Sequence, residues 1–304
     1  MAKVETSIDL PKDFRLHDFL KFHQRDAQML AEVVNENSLQ KGFFWQTMPS
    51  CLQLDFTKNC VNICLNIDQG RRKIIADKTA IELQQQVQHM LGLNQPIKDF
   101  EKTFGKHHQL GKVINQQPGL RVPQSATPFE ALTWAITGQQ ISVNAALSIR
   151  RKLILCAGVQ HSSGIWCYPD AQRLALVDEA ILRAQGFSQT KARTLLTLAD
   201  NICDGTLPLD NWLHDHWQGQ PLDADKIYQT LINLRGIGPW TINYALLRGF
   251  GWLDGSLHGD VAVRNRLQQL LQLNEKISEG MTKEWLNDFS PWRALVAAHL
   301  WGMP

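Results

Sequence analysis

The spacing of apolar residues along the chain shifts twice in the first hundred positions. In residues 17–34, HDFLKFHQRDAQMLAEVV, Phe19, Phe22, Met29, Leu30 and Val33 recur at helical spacing, which predicts one helix. The period then falls to two. Leu52, Leu54 and Phe56 alternate with polar neighbours; after a Thr57-Lys58-Asn59 turn, Val61, Ile63, Leu65 and Ile67 alternate with Asn62, Cys64 and Asn66. This predicts an antiparallel hairpin with one wet face. Residues 79–91 return to helical spacing and stop at Gly92, suited to a C-cap. Helix, antiparallel strands and helix make an α+β N-terminal domain over 1–96, ending at Asn94-Gln95-Pro96.

From 97 to 304 the pattern is mostly α-helical. Pro118-Gly119-Leu120-Arg121-Val122-Pro123 reads as a loop, and Thr127 with Glu130 reads as a capping box holding Pro128 at the first helical position. That helix reaches Gly138-Gln139-Gln140-Ile141-Ser142, where Ser142 caps a second one running to about Cys156. Helices are also predicted over 178–184 before Gly186, over 188–203 before Gly205, and over 292–301 after Pro291. The segment 206–222 shows no clear period and reads as an insertion.

The most informative stretch is 223–266. Ile227, Leu231 and Leu234 mark a helix behind acidic residues. Arg235-Gly236-Ile237-Gly238 interrupts it, and Pro239 restarts a helix where its missing N–H costs nothing. Two glycines allow a sharp turn and close approach of a partner. The N–H groups of that turn and the positive end of the new helix suit a phosphate. A turn of this kind also fits an ordinary αα-hairpin. Twenty-two residues after Gly238, Asp260 precedes the helical pattern VAVRNRLQQLL. Asp is a good N-cap, and the same helix end suits a carboxylate with a second task.

Composition narrows the class. The 304 residues are 44% hydrophobic and 20% charged, as expected of a folded protein with a sizeable core. A net charge of +2 does not mark a polybasic nucleic-acid binder, although a protein gripping a few phosphates through backbone N–H groups needs little charge. Arg71-Arg72-Lys73 and Arg150-Arg151-Lys152 read either as local basic patches or as solvated faces. No stretch reads as a signal peptide or a membrane span. The six cysteines therefore suggest free thiols in a reducing cytoplasm, and Cys60 and Cys64 lack partners at zinc spacing.

The order helix, Gly-Ile-Gly turn, helix, short loop, Gly-Asp resembles the helix-hairpin-helix DNA glycosylases. LRGIGPWTINYALLRGFG and PGLRVPQSATPFEALTWAITGQQIS are similar to the 3-methyladenine DNA glycosylase II branch. The resemblance is sharp over 118–304 and looser over 1–117. It implies a helical helix-hairpin-helix glycosylase domain over 97–304 behind the α+β domain. It further implies a monomeric enzyme acting on double-stranded DNA with a damaged base, with no organic cofactor and no iron–sulfur module.

The resemblance carries over residue by residue. Asp260 occupies the catalytic position, where a carboxylate stabilises oxocarbenium charge or activates water. Trp240 and Tyr244, four apart on one helix face, and Trp301 on the last helix match a pocket for an extruded base; core packing is the other reading of the same aromatics. Trp240 stands where lyase-type relatives carry a Lys able to form a Schiff base. Gln140 occupies the position of a wedge that fills the gap left in the DNA, and it also reads as a solvent-facing loop residue. Gly236, Gly238 and Thr241 would hold a phosphate, and the carbonyls of Ile232, Leu234 and Gly236 would hold a monovalent cation. Trp134, Trp285 and Trp292 read as core, while His107, His108, His258 and His299 suggest nothing specific. The alternatives are the same fold acting on oxidised or deaminated bases, or a binding module without catalysis; Asp260 opposes the second.

Overall fold

The computed structural model describes residues 2–68 and 76–303. Five antiparallel strands open the chain: β1 (Ala2–Asp9), β2 (Glu32–Asn35), β3 (Ser38–Trp45), β4 (Met48–Phe56) and β5 (Cys60–Ile67). They pair in the order β1-β5-β4-β3-β2. The expected hairpin is β4–β5, in register Leu54↔Ile63 and Phe56↔Val61. Its apolar positions are buried while Asp55 and Asn62 stay exposed. Two helices cover the inner face, α1 (Leu16–His23) and α2 (Ala76–Met90), the latter followed by Gly92 at φ +67°. Val4, Phe19, Leu52, Leu65, Leu83 and Val87 are among the side chains that form this core.

The single helix expected over 17–34 is not formed. α1 stops at His23, the Asp26 carboxylate accepts from the Gln28 N–H at 3.0 Å, and Met29 takes φ +49°. These features turn the chain so that Val33 enters β2 instead. The competition was decided by sheet pairing, since β2 completes the ladder beside β3.

The rest is helical apart from the short pair β6 (Val159–Gln160) and β7 (Trp166–Cys167). The helices are α3 (Ile97–Phe104), α4 (Gly111–Gln116), α5 (Pro128–Gly138), α6 (Val143–Ala157), α7 (Ala171–Ala175), α8 (Glu179–Ala184), α9 (Gln189–Cys203) and α10 (Leu209–Trp217). They are followed by α11 (Ala224–Ile232), α12 (Pro239–Phe250), α13 (Val261–Leu270), α14 (Glu279–Asn287) and α15 (Arg293–Trp301). The opaque segment 206–222 thus contains α10, whose Leu209 and Leu213 join the core of α5, α9, α11 and α12. A second helical core joins α3 and α4 to α13, α14 and α15. α12 lies at the junction, with Ile242 and Leu246 in the first core and Leu247 in the second. No helix among the described residues is long and apolar enough to cross a membrane.

Local chemistry explains the helix starts. Ser142, Ser188 and Asp223 each accept from an N–H in the first turn of the helix they precede, a contact worth about 1 kcal/mol. Thr127 does the same for Glu130 N, but the reciprocal half of the expected capping box is absent. The Glu130 side chain instead accepts from Ala126 N and turns into a buried ion cluster. There Lys41 of β3 and Arg150 of α6 each contact both Glu32 of β2 and Glu130 of α5, at 2.7–3.2 Å. Burial alone would push Glu32 up, yet Arg150 and Lys41 hold it well below the usual carboxylate range. Arg150 is therefore neither a DNA-facing patch nor a solvated face: it ties the sheet to the helices. Residues 71–73, the other basic run, lie outside the described residues.

Candidate active site

The turn between α11 and α12 owes its shape to one glycine. Gly236 has φ +90°, and a Cβ there would lie 2.1 Å from the Thr194 hydroxyl, which itself donates to Arg235 O at 2.9 Å. Gly238 differs: its φ is −111° and a Cβ would meet nothing within 4 Å. It leaves open space in front of the first turn of α12, whose N–H groups have no intrahelical acceptors. Thr241 is buried, its hydroxyl accepting from the Gln139 amide at 2.9 Å, and the same amide donates to Gly236 O at 2.9 Å. Among the carbonyls expected to face a cation, Gly236 O takes that amide hydrogen and Leu234 O takes the Ile237 N–H at 3.1 Å. A carbonyl oxygen has two lone pairs, so both keep one, and an all-oxygen donor set suits a hard monovalent ion.

Gln140 follows directly, exposed and in the left-handed region at φ +56°. The turn that carries it is braced from behind by Lys191, whose ammonium donates to Thr137 O at 2.8 Å and Gln139 O at 2.6 Å. Burial pushes the Lys191 ammonium below its ordinary value.

Asp260 is the N-cap of α13. Its Oδ1 accepts from Val263 N at 2.9 Å and from Trp301 Nε1 at 3.2 Å; its Oδ2 accepts from Trp240 Nε1 at 2.9 Å. Capping therefore uses only part of the carboxylate, and two indoles fix the rest. Trp240 stands in the first turn of α12 and Trp301 ends α15, so three helices meet at this one group. The Trp240 and Tyr244 rings lie 5.4 Å apart at 30°.

Asp260, Trp240, Tyr244 and Trp301 all line one cleft of about 1310 Å³, which extends to Gln140, Gly236, Gly238 and Thr241. The residues named from sequence thus converge on one side of the molecule. Ile232 and Leu234 are not among the lining residues. Arg25, Trp134, Lys191 and Arg248 also line the cleft, and none of them was assigned to the site from sequence. Trp134, expected in the core, is half-buried with the Arg25 guanidinium 4.7 Å from its ring. A signal for Arg248 was available, since it follows Trp240 and Tyr244 at the same four-residue step. None existed for Arg25, which the turn after α1 brings in from the N-terminal region.

The histidines are explained locally. His258 shares a hydrogen bond with Ser256 and His299 stacks on Phe100 at 5.2 Å, where burial pushes it down to about 4. Trp285 and Trp292 pack against the second helical core, as expected.

Comparison with known proteins decides the family. Residues 133–291, just over half of the chain, match the family described as HhH-GPD superfamily base excision DNA repair protein. The chain belongs to the HhH-GPD superfamily. Among relatives of this HhH-GPD protein, DNA-3-methyladenine glycosylase 2 of Escherichia coli strain K12 is 30% identical over 194 residues. That match covers 63% of this chain and 63% of the relative, so the chain spans under two thirds of that relative's length. DNA-3-methyladenine glycosylase of Bacillus subtilis strain 168 is 23% identical over 297 residues, 97% of this chain and 95% of the relative. The HhH-GPD fold is shared with a 3-methyladenine DNA glycosylase structure from Archaeoglobus fulgidus, at a TM-score of 0.79, 18% identity and 97% coverage of each chain.

Proposed function

We propose that this protein is a base-excision DNA glycosylase that hydrolyses the N-glycosidic bond of alkylated purines, 3-methyladenine and 7-methylguanine above all, in duplex DNA. The observation that carries the reading is the Asp260 carboxylate, pinned by two indole N–H groups and a backbone N–H in a cleft of about 1310 Å³. A target nucleotide flipped out of the stack would put its base against Trp240, Tyr244 and Trp301 and its sugar beside Asp260. As the C1′–N bond breaks, positive charge grows on the sugar. A fixed carboxylate stabilises that charge without reorganising, and it can orient the water that adds to C1′.

The same residues suggest how DNA is held. Gly236, Gly238 and Thr241 offer N–H groups to a phosphate at the start of α12, and a monovalent cation at the carbonyls of Ile232, Leu234 and Gly236 would support that turn. Gln140, exposed on a braced turn beside the cleft, would fill the gap in the stack. The relatives named 3-methyladenine glycosylases support the substrate class. Trp240 at the position of a lyase lysine supports a monofunctional enzyme whose product is an intact abasic site. Mass spectrometry of bases released from methylated duplex DNA tests the reading. Release of 3-methyladenine and 7-methylguanine is expected; release of neither at any enzyme concentration would refute it.

A further inference from the structure

The cleft contains two cations that the chemistry above does not use. Arg25, in the turn after α1, and Arg248, two turns beyond Trp240 on α12, hold their guanidiniums 4.1 and 4.6 Å from the centroid of the same Phe22 ring. Arg248 also lies 5.6 Å from the Trp301 ring. No carboxylate pairs with either guanidinium among the described residues. Asp26, beside Arg25 in sequence, is taken by Arg151 at 3.0 Å. Arg248 donates from Nη1 to Pro123 O at 2.7 Å, while its Nε is buried without an acceptor. Burial, only partly offset by Tyr244, pushes Arg248 down to about 10, so it remains a cation at neutral pH.

Both guanidiniums line the cleft without a carboxylate partner among the described residues, so an oxygen of a group bound there would take charge-assisted hydrogen bonds from their exposed N–H groups. Trp301 separates the two signs of charge, with its N–H on Asp260 and its ring against Arg248. The cleft is negative at the carboxylate and positive beyond the aromatic walls.

We propose that Arg25 and Arg248 are specificity-determining residues for neutral, carbonyl-bearing bases: they donate to the base oxygen and stabilise the negative charge the base acquires on leaving. The proposal rests on the glycosylase reading of this cleft. Breaking the C1′–N bond sends its electron pair to the base nitrogen. An alkylpurine that enters as a cation leaves neutral. A neutral oxopurine such as hypoxanthine leaves as an anion, with charge shared between ring nitrogen and oxygen. Water then adds its oxygen to C1′ and its proton passes to the departed base, giving an abasic sugar and a neutral base. Both guanidiniums keep their protons throughout. They repel a base that is already cationic, but that base departs from a weakened bond and needs no such help. Arginines and aromatic walls therefore serve opposite classes of lesion.

The test is single-turnover release of hypoxanthine and of 7-methylguanine from duplex oligonucleotides by wild type, Arg25→Gln, Arg25→Lys and Arg248→Gln. Arg25 is half-exposed and makes ring contacts, so its Gln variant is expected to fold, which circular dichroism melting checks. Arg25→Gln should lower the hypoxanthine to 7-methylguanine rate ratio by about a hundredfold, the lower end of the range for one lost charge-stabilising donor. Arg25→Lys should restore most of that ratio, and Arg248→Gln should move it in the same direction as Arg25→Gln. A ratio unchanged within about twofold in both Gln variants overturns the proposal, as does wild-type release of 7-methylguanine without any hypoxanthine. Wild-type failure on both substrates would instead overturn the glycosylase reading beneath it.

Discussion

Replacing Trp240 with Phe keeps an aromatic wall and removes one donor from Asp260. The lost contact is Trp240 Nε1 to Asp260 Oδ2 at 2.9 Å, between half-buried groups. A hydrogen bond to a charged acceptor contributes about 1.5–3 kcal/mol. If that holding is felt mainly in the transition state, each 1.36 kcal/mol removes about tenfold in rate, so kcat should fall about 10- to 150-fold. Oδ1 keeps Val263 N and Trp301, so the helix cap and the fold should survive. Trp240→Leu removes the ring as well. Its additional loss on cationic 7-methylguanine should exceed that on hypoxanthine by about 0.5–2 kcal/mol, the scale of one cation–π contact. Single-turnover kinetics of both variants on both substrates separates the two effects. The Phe variant should lose the same factor on each substrate, and only the Leu variant should discriminate. A Phe variant with wild-type kcat would show that the indole N–H does not position the carboxylate. Equal extra losses in the Leu variant would show that the ring shapes the pocket without reading charge.

Other consequences are open to measurement. Gln140→Gly should weaken binding to an abasic-site analogue by about 1–3 kcal/mol while hardly changing binding to undamaged duplex, and equal losses on both would make Gln140 a general surface contact. Borohydride should trap no covalent adduct on damaged DNA; a trapped lysine, Lys191 in the cleft first among them, would contradict the monofunctional assignment. Arg150→Met leaves Glu32 and Glu130 sharing Lys41 and should cost about 3–5 kcal/mol in urea unfolding, the range for a broken buried pair, whereas a loss under about 1 kcal/mol would remove the ion cluster from the account of stability. Burial pushes His23 and His299 down to about 4 and His89 to about 3, from an ordinary 6.5. The unfolded chain therefore binds more protons than the folded one. Stability from this source is complete above about pH 6.5 and falls as pH drops toward 4. Urea midpoints that stay flat between pH 7.5 and 5 would contradict the buried, neutral state of these rings.

What the sequence disclosed followed from how local each signal is. The β4–β5 hairpin, the Gly92 stop and the Ser142 cap depend on neighbouring residues, and each was legible. β1 escaped notice because its alternation is weak: Val4 and Ile8 are its buried apolar positions, and it is secured by pairing with β5, far along the chain. Residues 17–34 carried a helical period that the Asp26 turn and the β2–β3 ladder overrode. Glu130 looked like half of a capping box because the sequence cannot show that Lys41 and Arg150 wait nearby. In the cleft, Asp260, Trp240 and Tyr244 fall within one continuous motif, whereas Arg25 and Trp134 meet only through tertiary packing. Trp240 and Trp301 were expected as walls; that both indoles also grip Asp260 follows from three helix ends converging on one point, which no spacing encodes.

The most direct test of the central claim compares base release and DNA binding for Asp260→Asn. Asn also caps helices, and its remaining oxygen can still accept from Val263 N and Trp301, so the fold should persist. Its amide would face the Trp240 N–H, donor against donor, and it carries no charge to oppose a cationic sugar. Release of 7-methylguanine from methylated duplex DNA should be abolished, while affinity for an abasic-site duplex stays within about tenfold, roughly 1.4 kcal/mol. Near wild-type turnover by the purified variant would contradict the assignment of Asp260 as the catalytic carboxylate.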